Sequence, residues 1–86
     1  MISKNVKIPK DLHARPATLL IQKVQEFPGT KVWLVNNGKK IQTNSLIGIL
    51  SMGLKKDDEI IMEVEGEEEL AEILKDFIEK GMETGQ

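Results

Sequence analysis

The chain has one histidine and one arginine, and they stand two residues apart, at His13 and Arg15. They fall in the run Leu12-His13-Ala14-Arg15-Pro16-Ala17. Proline is tolerated in a first helical turn because no donor is needed there, so a helix should begin near Ala14 with His13 at or beside its cap. The free backbone N–H groups of such a turn form an anion site facing the imidazole. Arg15 adds a permanent charge on a fork that suits phosphate oxygens. A ring nitrogen of the neutral imidazole can act there as a nucleophile. A phosphoryl group on that nitrogen would bring close to two negative charges among donors that welcome them. The expected chemistry is therefore a transient phosphohistidine. The bland alternative is a surface histidine serving only as a cap. A metal site is not expected, since no cysteine and no second histidine exists to complete one. Ser45 offers a hydroxyl, but no elbow motif surrounds it to make a serine nucleophile.

The elements that must position this run can be read along the chain. Ile2, Lys4, Val6 and Ile8 alternate with Ser3, Asn5 and Lys7, which predicts a strand ended by Pro9. Ala17, Leu20, Ile21, Val24 and Phe27 recur at helical spacing, and Pro28-Gly29 stops that helix. Thr30 to Asn36 is β-rich, Asn37-Gly38 predicts a tight hairpin turn, and Lys39 to Thr43 returns as a short polar edge strand. Asn44-Ser45 caps a short helix over Leu46 to Met52, weakened by Gly48 and closed by Gly53. Ile60, Met62 and Val64 mark a last strand over Glu59 to Glu65. Glu67 to Lys80 is the clearest helix, with Leu70, Ile73, Leu74, Phe77 and Ile78 on one stripe and glutamates crowding its first turn. Residues 81–86 are expected to fray. The order βαββαβα fits one sheet with helices on one face, whether ferredoxin-like or another open-faced sandwich.

Composition narrows the function further. With 86 residues the chain is one domain over 1–86 with a modest core. Twelve basic against fourteen acidic residues leave a net charge of -2, which argues against a general nucleic-acid binder. No apolar run approaches the roughly 20 residues of a membrane span. Met1-Ile-Ser-Lys-Asn lacks the apolar stretch of a signal peptide, so a cytoplasmic protein is expected.

Three blocks together resemble the histidine-containing phosphocarrier (HPr) family of the sugar phosphotransferase system. The first is Leu12 to Ala17. The second is Gly38-Lys39 with Asn44-Ser45-Leu46-Ile47-Gly48 and Ser51-Met52-Gly53, similar to the family's regulatory-serine region. The third is Asp58-Glu59-Ile60 with Gly66-Glu67-Glu68-Glu69. The resemblance covers nearly the whole chain. It implies an α+β open-faced β-sandwich with four antiparallel strands in order 1-4-2-3 and three helices on one face.

The resemblance also implies roles. His13 takes a phosphoryl group on Nδ1 from phospho-enzyme I and passes it to the IIA domain of a sugar permease. Arg15 stabilises the group in transit, and no cofactor is involved. Ser45 matches the serine modified by HPr kinase/phosphorylase, which brings that kinase and a catabolite-control transcription factor in as further partners. Leu12, Pro16, Thr18, Leu46, Ile47 and Leu50 fall at docking positions, and a carrier that must expose such a patch is expected to be a monomer. The departures bear on partner choice. Asp11 stands where many relatives have glycine, one extra residue appears near Pro28-Gly29-Thr30, and Asp57 replaces a common glycine. Thr43-Asn44-Ser45 is similar to the nitrogen-branch relative NPr and removes a positive charge beside Ser45. Two other readings stand beside the carrier. One is an HPr-like regulatory binding module. The other, an acyl-phosphate hydrolase, leaves His13 and Ser45 unexplained.

Overall fold

A computed structural model describes residues 1–82 of the chain. Its elements run β1 (Ile2–Lys7), α1 (Ala14–Gln25), β2 (Lys31–Asn36), β3 (Lys39–Gln42), α2 (Leu46–Ser51), β4 (Glu59–Glu65) and α3 (Glu68–Glu79). The four strands form one antiparallel sheet in the order β1-β4-β2-β3. The βαββαβα order and the edge position of β3 are as the sequence pattern predicts, and the strand order is the one that the resemblance implies.

Alternation sets the two faces of the sheet. Val64 lies opposite Ile2 and Val32, and Met62 lies opposite Lys4 and Leu34. Val6, Val32, Leu34, Ile60, Met62 and Val64 are all buried. Against them pack Ala17, Leu20 and Val24 of α1, Ile49 of α2, and Ala71, Leu74 and Ile78 of α3. The hairpin turn has φ 51° at Asn37 and 81° at Gly38, the left-handed pair that a two-residue turn between antiparallel strands requires. No helix is long and apolar enough to cross a membrane among the described residues.

Gly48 has a packing reason. A Cβ there would lie 2.8 Å from Ile41 Cγ2 and 2.9 Å from Ser45 Oγ, so its absence lets α2 approach β3 closely. The helical weakness noted in the sequence is thus the condition for seating the helix.

The structure corrects two expectations. Ile73 is 43% exposed rather than on the buried stripe. Successive residues turn by about 100° around a helix, which carries Ile73 past the edge that Phe77 and Leu70 define. The fray expected from residue 81 does not begin there. Gly81 (φ 104°) and Met82 (φ 56°) close α3: the Gly81 N–H donates to Ile78 O at 3.0 Å and the Met82 N–H to Phe77 O at 3.0 Å. This pair of bonds satisfies two terminal carbonyls and turns Met82 into the core, where it is fully buried. Residues 83–86 of that expected tail lie outside the described residues.

Lys4 occupies an inward-facing position at the edge of the sheet, where α3 passes. Its ammonium bonds to Glu68 and, at 2.5 Å, to Glu72. Donating hydrogen bonds to both carboxylates raises the Lys4 pKa above its ordinary value, and Lys4 in turn lowers that of Glu72. A depressed carboxylate stabilises the fold above its unfolded value of 4.5 and loses that contribution as pH falls through the folded value. A raised lysine contributes below its unfolded value of 10.5 and stops as pH rises through the folded value. The Lys4→Met variant is therefore expected to melt below the wild type across the range between those limits. The gap should close in acid as Glu72 protonates, which thermal unfolding over a pH series measures.

Candidate functional site

The site is built where β1 hands the chain to α1. His13 is the N-cap of α1, with φ -83° and ψ -177°, and its side chain makes no capping hydrogen bond. The ring is exposed. The first bond of the helix runs from the Ala17 N–H to His13 O at 3.1 Å. Ala14 and Arg15 therefore carry backbone donors with no acceptor inside the helix, and Pro16 carries none. Arg15 is exposed, and no ion pair involves its guanidinium among the described residues. An open ring, amides with no acceptor inside the helix and an exposed cationic fork share one helical turn. An anion of phosphate size can meet all three there.

A second segment supports this turn. The Leu12 N–H donates to Leu54 O at 2.9 Å, and the Lys56 N–H donates to Asp11 Oδ1 at 2.9 Å. The chain before His13 is thus fastened to the loop that follows α2. That loop is itself stiffened where the Lys55 N–H donates to Asp58 Oδ2 at 2.9 Å. It is also anchored to the end of β1, because the Ile8 N–H donates to Asp58 O at 2.8 Å and the Asp57 N–H to Ile8 O at 2.7 Å. Asp57 sits there at φ 76°, a left-handed conformation that glycine adopts at no steric cost. Sequence reasoning did not find Leu54 and Lys56 as supports. They act through main-chain atoms, which leave no side-chain signature.

The other expected site residues are placed as follows. Ser45 is the exposed N-cap of α2, and its Oγ accepts from the Gly48 N–H at 3.0 Å. No hydrogen bond joins Ser45 to His13 among the described residues; α2 touches the His13 segment through the loop at its far end. Ile47 is 77% exposed, while Leu46 and Leu50 are half-buried against the core and Ile49 faces fully inward. Pro16 and Thr18 are half-buried on α1, which packs beside α2. Leu12 is different. At 7% exposure it belongs to the core, which removes it from the expected docking surface. The reason is local: the Leu12 N–H is tied to Leu54 O, and its side chain joins the core that also holds Leu54, while His13 stays outside.

Residues 2–80 match the model of the PTS HPr component phosphorylation site family. The chain is also similar to solved structures. HPr-C-His from Thermoanaerobacter tengcongensis shares 29% identity, with a TM-score of 0.83 and 100% of both chains covered. The phosphocarrier protein HPr from Bacillus anthracis str. Ames shares 28% identity at a TM-score of 0.80, over 90% of this chain and 95% of that one. The catabolite repression protein Crh of Bacillus subtilis shares 27% identity at a TM-score of 0.72, over 98% and 100%. The match over nearly the whole sequence, on a sheet of the same topology, shows that this chain belongs to the HPr family of phosphocarrier proteins.

Proposed function

We propose that this protein accepts a phosphoryl group on His13 from phospho-enzyme I and passes it to the IIA domain of a sugar permease. The observation that carries this reading is the His13 ring, exposed and unbonded at the start of α1. In the first transfer the Nδ1 lone pair attacks phosphorus. A nitrogen–phosphorus bond forms as the bond to the donor breaks, and the electron pair of the broken bond stays with the donor. The second transfer reverses these roles. Arg15 and the Ala14 and Arg15 amides hold the non-bridging oxygens meanwhile. The protein completes no turnover alone; it is a transiently phosphorylated carrier acting in the cytoplasm. The same unbonded ring favours the carrier over a purely regulatory module.

The docking surface in this reading is Ile47 with the exposed parts of Leu46, Leu50, Pro16 and Thr18. It is small and polar-rimmed, which suits partners that must be released quickly. Ser45 lies at one end of it, so phosphorylation there by HPr kinase/phosphorylase would set charge on the docking surface, and the phosphoserine form would suit a catabolite-control transcription factor.

Incubation with phosphoenolpyruvate and enzyme I tests the proposal. Acid-labile phosphate on His13 is the expected product, and no uptake would favour the regulatory module. Arg15→Ala is expected to slow transfer by about tenfold or more with the fold intact. Ser45→Asp is expected to raise the KM for enzyme I; unchanged kinetics would count against a regulatory serine.

A further inference from the structure

The residue two places before the histidine has no part in the scheme above. Asp11 is exposed, yet its carboxylate is not idle: Oδ1 accepts the Lys56 N–H at 2.9 Å. Three hydrogen bonds meet here. The His13 N–H donates to Asp11 O at 3.1 Å, the Leu12 N–H to Leu54 O at 2.9 Å, and the Lys56 N–H to the Asp11 side chain. The first folds the chain tightly just ahead of the ring. The other two clamp that fold onto a loop 42 to 45 residues away in sequence, a loop already tied to β1 by the Ile8, Asp57 and Asp58 backbone. Of these three bonds one uses a side chain, that of Asp11. The Leu54 and Lys56 contributions are main-chain and independent of residue type, so position 11 decides whether the second clamp exists.

The bond also answers an electrostatic difficulty. A carboxylate two residues from a phosphorylated ring would repel it. Engaged with the Lys56 amide, the Asp11 charge is directed to the loop side and partly offset by that donor.

We propose that Asp11 is a positioning residue for phosphoryl transfer, holding the His13 segment in register by accepting the Lys56 amide. This role rests on the carrier reading. The bond needs only an acceptor at Oδ1, so Asp11→Asn keeps it, whereas Asp11→Ala and Asp11→Gly remove it. Transfer from phospho-enzyme I is measured for the wild type and all three variants, with kcat and KM separated. Amide hydrogen exchange at Lys56 is followed in the same proteins.

Ala and Gly are expected to lower kcat by about tenfold with KM nearly unchanged, since the loss is in alignment rather than docking. Their Lys56 amides should exchange faster, and Asn should restore both readouts. Kinetics for Asp11→Ala equal to wild type overturn the proposal, as does an Asn variant that behaves like Ala. Faster transfer in both Asn and Ala also overturns it, because the carboxylate would then act only by repulsion. A wild type that takes up no phosphate is a distinct result: it sinks the carrier reading, and this role falls with it.

Discussion

Replacing His13 by alanine is expected to abolish phosphoryl uptake while changing unfolding free energy by less than about 0.5 kcal/mol. The two halves follow from one geometry. The ring is solvent-exposed and makes no cap hydrogen bond, so the fold loses nothing specific with it. The turn it leaves behind, with Arg15 and two free amides, would offer donors to phosphate but no nucleophile. No second histidine can substitute. Phosphate incorporation from phosphoenolpyruvate and enzyme I, with thermal unfolding of the same sample, checks both. A variant that unfolds would make His13 structural.

Met82→Ala is expected to have the opposite profile, a large loss of stability with the site chemistry left in place. Met82 is fully buried and reached only because Gly81, at φ 104°, turns the chain back over the end of α3. Truncating a buried methionine to alanine costs about 2–3 kcal/mol, from lost transfer energy and the cavity left behind. In a domain of this size that lowers Tm by roughly 10–20 °C. Met82→Leu keeps the volume and should lose less than about 1.5 kcal/mol. A melting temperature for Met82→Ala within about 2 °C of wild type would show that the closing turn contributes nothing.

Met82 also marks where sequence reading ends. The strands were legible because a half-buried sheet forces alternation, and Val6, Met62 and Val64 obey it. The hairpin was legible because Asn37-Gly38 is a local solution to a local problem. The start of α1 was legible because Pro16 limits where a first turn can lie. A single apolar residue after a glycine carries no period, so Met82 read as part of a loose end. Leu12 was drawn to the docking surface by its neighbours, although a main-chain bond to Leu54, 42 residues away, holds it in the core. Ile73 fits helical spacing but sits just outside the arc that the core covers. Asp11 was visible only as a departure, since its partner is a backbone amide 45 residues away. Local chemistry was readable; closure by distant main-chain groups was not.

Nuclear magnetic resonance of the protein with ¹⁵N-labelled histidine, before and after phosphorylation, tests the central claim most directly. A nitrogen–phosphorus coupling at Nδ1 of His13 is the expected result, with the Ala14 and Arg15 amide protons shifting downfield as they take up phosphate oxygens. Phosphate appearing on a hydroxyl such as Ser45 under the same conditions, with the His13 ring and those two amides unmoved, would contradict it.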